Sequence, residues 1–297
     1  MHSPGELPLT DRPPRRPSFS SMPAGASLIL VIVLLALCAP WLAPHDPEQM
    51  DMERRLASPT AEHLLGTDNF GRDLLSRALF GARITLSIAI TSVGAAALLG
   101  TLVGLLAGYF GGPVDMVLMR IVDLFLGFPP LVLALGVVAA LGPGGMSVTL
   151  ALVAVFWTES ARLVRAISSS EKNRDYVVAA RALGASHARI LLRDILPRVA
   201  GPLVVVITLA IGTAIVAESG LSFLGFGVQP PTPTWGWTLA YGVRYLRESV
   251  WLSIVPGLFI MATVLGFNLF GDGMRDRLDP RDAARGAPRG AAQRGEI

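Results

Sequence analysis

From Leu124 to Thr158 the chain runs for 35 residues without a charged side chain. A helix of about 20 apolar residues crosses a hydrocarbon core, so this run is too long for one crossing. The string LGPGG at 141–145 divides it in two. Lipid offers no partner to open backbone N–H and C=O groups, which restricts spanning structures to helices and closed barrels, and apolar runs this long select helices. Shorter uncharged runs lie on either side, at 25–43, 84–110, 199–217 and 249–271. The pattern predicts an all-α, polytopic membrane protein with six transmembrane helices. Pro129 and Pro130 predict a kink in the third span. Composition agrees: 16% of residues are charged, against about 25% in soluble domains.

The polar segments complete the expected organisation. Residues 1–24, rich in Pro, Ser and Arg, read as a disordered tail. The run at 25–43 reads as a first span and not a secretory signal, because its 19 residues exceed the roughly 7–15 of a signal core. Residues 44–83 read as an extracytoplasmic segment. Within it Gly66, Asp68, Gly71, Arg72, Asp73 and Arg77 form a dense alternation of glycine, acid and arginine. A capped helix leading into the second span explains this string better than a phosphate loop, whose glycine spacing it lacks. In that second span Gly94, Gly100, Gly104 and Gly108 recur at close intervals, as helices in tight contact require. Arg120 and Asp123, three apart, can neutralise each other near the interface. Residues 228–248, with Trp235, Trp237 and Tyr241, read as an interfacial loop with aromatic anchors. Residues 84–271 thus hold five spans, and 272–297 form a second, Arg-rich tail.

With the amino terminus inside, seventeen Lys and Arg fall on the side of both tails and of residues 159–198, against seven on the other. That asymmetry places both termini and the central loop in the cytoplasm. The formal charge of +3 gives no case for nucleic acid. Cys38 is alone, and His2, His45, His63 and His187 are scattered without ligand spacing. No catalytic, cofactor-binding or metal-binding set is expected from this chain.

The central loop, about 171–198, contains DYVVAARALGASHARILLRDILP at 175–197. Asp175 can cap a short helix from Tyr176 to Leu183, Gly184 can end it, and Ser186 restarts the chain. In the second helix Ala188, Leu191, Leu192 and Ile195 share one face while Arg189 and Arg193 share another. Pro197 marks where that helix ends or kinks. Two readings fit: a connector lying on the membrane surface, or a helix-glycine-helix knob seated in another protein's groove.

The pattern Ala179, Ala180, Gly184, Ile195, Leu196, Pro197 resembles the loop by which membrane subunits of binding-protein-dependent ABC importers dock onto their ATPases. Val178 stands where that motif usually has Glu, and Asp194 where it has an apolar residue. The resemblance extends through GYFGGPVD at 108–115, Ala161, Arg162 and Arg165, LSFLG at 221–225, Trp235 and Gly236, and FNLFGDG at 267–273 to Asp279 and Arg281. It is similar to the second membrane subunit of the dipeptide, oligopeptide and nickel importers. That resemblance implies a second homologous permease subunit, two ABC ATPase subunits, an extracytoplasmic substrate-binding protein and a bacterial inner membrane. It implies ATPase-docking roles for Asp175, Tyr176, Ala179, Ala180, Arg181, Gly184, Ala185, Ser186 and Arg189.

Glu218, Ser222 and Phe128 are candidates for the translocation path. For Glu218 two readings stand, an acid facing a polar path and an acid at the outer interface bonded to loop backbone. Glu159 can pair with Arg162. An ion-coupled carrier or channel is the alternative class, though it calls for ionisable groups deep in several spans. A membrane-embedded enzyme lacks a constellation of reactive side chains here.

Overall fold

A computed structural model of the chain describes residues 21–278; of the expected tails, 1–20 and 279–297 lie outside the described residues, whereas 21–24 begin the first helix and 272–278 end the last. The order is α1 (Ser21–Leu37), α2 (Ala39–Leu42), α3 (Leu74–Phe110), α4 (Gly112–Leu126), α5 (Pro130–Leu141), α6 (Gly145–Glu171), α7 (Asp175–Ala182), α8 (His187–Arg189), α9 (Leu196–Phe223), α10 (Trp235–Arg244) and α11 (Trp251–Leu278). A π-helical segment, Ile190–Ile195, joins α8 to α9. Among the described residues the fold is helical, and extended pairing is limited to a bridge between Thr67 and Asp73.

Four helices are long and apolar enough to cross a membrane: α3, α6, the run His187–Phe223 and α11. The expected third span, from Leu124 to the LGPGG string, falls on the end of α4 and on α5, a pair bent by 90° as a broken span or a re-entrant loop is. Pro129 and Pro130 cause the break, since neither can donate a helical N–H. The segment predicted as the first span falls on α1, an apolar helix of 17 residues, and on α2. Gly25 lets α1 lie close on α11, because a Cβ there would stand 2.8 Å from the Gly266 carbonyl.

The core is built on α3 and α6. A Cβ on Gly104 would come within 2.6 Å of the Ala161 carbonyl, and one on Gly108 within 2.6 Å of the Arg165 carbonyl and the Ser168 Cβ. Gly100 meets Trp157 and Ser160 in the same way. Three glycines at four-residue intervals therefore form one flat stripe on which α6 lies, the close approach that small residues permit between membrane helices. Leu98, Leu102 and Leu106, also four apart, are exposed on another face, as a lipid-facing stripe would be. One helix thus carries both contacts from two interleaved patterns.

α3 begins ten residues before the span predicted at 84. At about 1.5 Å per residue its 37 residues reach about 55 Å, well beyond a hydrocarbon core of about 30 Å. Its first turns are held by the preceding segment. Asp73 caps α3, accepting from the Ser76 N–H at 2.8 Å and the Ser76 hydroxyl at 2.7 Å. Asp68 accepts from the backbone of Phe70 and Arg72 and from Arg72 Nε at 2.6 Å. Arg77 donates to the Pro47 carbonyl at 2.8 Å. Gly71, at φ +74°, passes so close to Asp51 that no Cβ fits. The glycine, acid and arginine string is a folded cap.

The segment 228–248 departs from the expected interfacial loop. Thr234 caps α10 by accepting from the Trp237 N–H at 3.3 Å. Trp235 is buried, and its indole N–H donates to the Ala78 carbonyl at 2.9 Å. A tryptophan whose polar edge finds an internal acceptor has no need of the headgroup region. The expected Arg120 and Asp123 pair is also replaced: both are exposed, and the ion pair in this region joins Asp115 to Arg165 across α4 and α6.

Candidate functional site

The loop between α6 and α9 is a compact knob. Arg174 takes the cap position of α7 and Asp175 enters the first turn, one residue from the expected boundary. A carboxylate there complements the positive end of the helix. Gly184, at φ +80°, adopts the left-handed conformation that ends the helix. The Ala185 N–H donates to the Ala180 carbonyl and the Gly184 N–H to the Arg181 carbonyl, both at 3.0 Å. This pair of bonds is a Schellman motif, which satisfies the orphan carbonyls of α7. Ser186 then caps α8, accepting from the Arg189 N–H at 3.3 Å.

Of the two outcomes expected at Pro197, an end or a kink, the helix does not end there but continues as His187–Phe223. Pro197 lacks the N–H that the carbonyl four residues earlier would accept, and the wider π turn before it absorbs the mismatch. The buried face is shifted: Ile190 and Ile195, five apart, are fully buried, whereas Leu192 is 60% exposed. An i to i+5 turn brings five-apart residues into register, so a face read with the α-helical period is misplaced.

The knob is anchored inward by apolar side chains and presents charged, polar and apolar side chains outward. Val177, Ile190 and Ile195 join Leu105 and Tyr109 of α3, Val164 of α6 and Val199 of α9 in one cluster. The Tyr109 hydroxyl and His187 Nδ1 are 2.8 Å apart. Arg181 stands over the Tyr109 ring and Arg198 over the Tyr176 ring. Of the expected docking residues, Ala180 and Ala185 are half-buried against this cluster, while Asp175, Tyr176, Ala179, Arg181, Gly184, Ser186 and Arg189 are exposed. Leu183, which sequence reasoning passed over, and Val178, which it marked only as a departure from the docking motif, are exposed as well. Leu183 is 88% exposed and Val178 is 52% exposed. Leu183 ends α7 just before a glycine in the left-handed region, a position that projects a side chain away from the helix pair. Tyr176 donates a hydrogen bond to Glu171; partial desolvation of the phenol, followed by that bond, raises it above the ordinary tyrosine range.

Of the three path candidates, Glu218 and Ser222 are brought together on α9, and Phe128 stands apart from them. Glu218 is fully buried within this chain, accepting from Ser222 at 2.7 Å and Ser219 at 3.4 Å. Thr85 of α3 stands beside it, and Gly236 of α10 packs on Ser219 and Ser222. Its partners are hydroxyls, not loop backbone. Phe128, at the break between α4 and α5, is half exposed. A groove of about 700 Å³ runs between α5, α6 and α9, apolar along Leu131, Ala134, Phe156 and Val216, with Glu159 and Arg162 within its lining. These two form no ion pair with each other among the described residues.

Comparison with known proteins extends this picture. The family model described as binding-protein-dependent transport system inner membrane component matches residues 100–282. That for the N-terminal TM domain of oligopeptide transport permease C matches residues 24–59. The di/tripeptide transport system permease protein DppC of Pseudomonas aeruginosa is 44% identical over 86% of this chain and 87% of its own. The dipeptide transport system permease protein DppC of Haemophilus influenzae is 40% identical, covering 86% and 89%. The glutathione transport system permease protein GsiD of Pectobacterium atrosepticum is 41% identical, covering 87% and 86%. The crystal structure of an amino acid ABC transporter superposes with a TM-score of 0.51 at 18% identity, over 68% of this chain and 94% of that one, a likeness of fold.

Proposed function

The chain belongs to the inner membrane components of binding-protein-dependent transport systems, and from that premise we infer that it is the second-type permease subunit of an ATP-driven importer of small peptides. The cargo class is supported by relatives described as carriers of dipeptides, di/tripeptides and glutathione. A second permease subunit completes the path, two ATPase subunits hydrolyse ATP, and an extracytoplasmic protein delivers substrate. Six spans are completed by α1 and by the bent pair α4 and α5, with both termini and the knob in the cytoplasm.

The observation that carries this reading is the knob itself, with Val178, Leu183 and Tyr176 exposed outside the expected hydrocarbon region and Val177, Ile190 and Ile195 locked onto α3 and α6. An exposed apolar surface next to cationic Arg181 and Arg189 is suited to a protein groove. Because α8 continues without a break into α9, displacement of the knob by a closing ATPase pair tilts the span that holds Glu218. The groove between α5, α6 and α9 forms this subunit's share of the path or of its contact with the second permease. Glu218 and Ser222 reach that path through such a tilt, and Phe128 flanks its break.

The test is uptake of a labelled dipeptide into proteoliposomes holding this chain with its partner subunits. ATP hydrolysis and binding protein together should be required. Uptake driven by a proton or sodium gradient without ATP would favour the ion-coupled carrier.

A further inference from the structure

His45 and His63 are remote in sequence but adjacent in the fold, with ring centroids 4.7 Å apart. A ring nitrogen of each and a carboxylate oxygen of Glu62 all lie within 4.8 Å of one another. They border a small cavity of about 130 Å³ that Asp51, Gly71 and Asp73 also line. We propose that His45, Glu62 and His63 form a binding site for a divalent transition cation of the Zn²⁺ type on the extracytoplasmic cap. This site is independent of the knob and of the transport path.

Three features point to a cation. His63 Nδ1 is hydrogen-bonded at 3.0 Å to Asp73 Oδ1, which presents the opposite ring nitrogen for coordination. A carboxylate behind a ligating histidine is the usual way its tautomer and orientation are fixed. The Nδ1 of His45 is buried and has no hydrogen-bond partner, and lies 3.9 Å from the same Asp73 oxygen, too far to bond. Buried polar atoms are seldom left unpaired, and a metal would satisfy this one. Glu62 is exposed and can move.

Two imidazoles and one carboxylate are a donor set suited to zinc, with water in the remaining position. Bond lengths of about 2.0–2.2 Å put tetrahedral donors about 3.3 Å apart. Donors up to 4.8 Å apart would therefore draw in by up to roughly 1.5 Å, and Glu62, exposed, is the one placed to move. Glu62 now bonds Arg54, so the cation exchanges that surface ion pair for a metal bond. Bound metal would tie the segment following α2 to the loop that precedes α3, beside the Asp73 cap.

The test uses the full chain in lipid nanodiscs, carrying a histidine-free affinity tag and stripped by a chelator, titrated calorimetrically with Zn²⁺. About one ion per chain should bind, and X-ray absorption should report imidazole nitrogen in its shell. His45→Gln and Glu62→Gln should each weaken binding about tenfold or more. His63→Gln also disturbs the Asp73 cap; the His45 side chain makes no hydrogen bond there to lose, so His45→Gln keeps the test clear of misfolding. Binding of equal strength in the His45→Gln and His63→Gln double variant, or no saturable binding by the parent chain, would overturn the proposal.

Discussion

The Tyr109 hydroxyl and Nδ1 of His187 stand 2.8 Å apart, joining the carboxyl-terminal end of α3 to the helix that follows Gly184. Their rings also meet edge to face at 5.6 Å. The contact ties the knob to the α3 and α6 core. Tyr109→Phe keeps the ring and should cost about 0.5–1.5 kcal/mol, the worth of one hydrogen bond. Tyr109→Ala should cost about 3–5 kcal/mol, because it opens a cavity among Val164, Ile190 and Ile195 as well. Denaturant unfolding of the purified chain in mild detergent measures both.

Gly184 tests backbone against space. A Cβ there meets nothing within 4 Å, but φ is +80°, so any penalty is conformational. Gly184→Val should destabilise the knob by about 1–2 kcal/mol, the cost of holding a side-chain-bearing residue in the left-handed region. Gly184→Asn should cost less, since asparagine tolerates that region. Equal effects in the two variants, read as hydrogen exchange at the Ala185 amide, would argue against the Schellman geometry.

Two glycines of α3 should respond with opposite sign. At Gly94 nothing stands within 4 Å of a Cβ, and replacing a helical glycine by alanine gains about 0.5–1 kcal/mol. At Gly104 the same methyl meets the Ala161 carbonyl at 2.6 Å, and overpacking of this kind costs about 1–3 kcal/mol. Unfolding in detergent should therefore show Gly94→Ala above the parent chain and Gly104→Ala below it.

Asp115 and Arg165 form a two-pronged pair, with Arg165 Nη2 donating to Asp115 Oδ2 at 2.6 Å. Their side chains are 23% and 42% exposed, so solvent screens the attraction. A double-mutant cycle should return a coupling of about 0.2–1 kcal/mol, smaller at high salt.

Tyr176 supplies a pH test. Partial desolvation and its bond to Glu171 raise its phenol above the ordinary value. The stabilisation is therefore present below the unfolded tyrosine value of about 10 and is lost as pH rises through the folded one. Tyr176→Phe should flatten stability against pH in that alkaline range. An unchanged slope would show that the phenol titrates normally.

How far the sequence reached depended on the kind of interaction. The long apolar runs located four helices long and apolar enough to cross a membrane, and Gly100, Gly104 and Gly108 marked the contact face, because a four-residue glycine interval has a direct steric meaning; Gly94, expected with them and six residues before Gly100, meets nothing. Gly184 and Ser186 were legible for the same local reason. Ile190 and Ile195 were not, since a π turn changes the period on which faces are counted. Trp235 was misread as an anchor because its acceptor, the Ala78 carbonyl, lies on a helix far away in sequence. His45 and His63 looked scattered until Gly71 folded the segment back against Asp51. Leu183 carried no periodic signal, as its exposure follows from ending a helix.

The most direct measurement is recovery of partners from native membranes in mild detergent, comparing the parent chain with Leu183→Asp. Leu183 is 88% exposed, so a carboxylate there should leave the fold intact while opposing an apolar groove. The account predicts that an ABC ATPase and a second permease accompany the parent chain, and that Leu183→Asp retains the permease and loses the ATPase. Recovery of a chain that carries peptide without any ATPase, or retention of the ATPase by Leu183→Asp at parental levels, would contradict the coupling role of the knob.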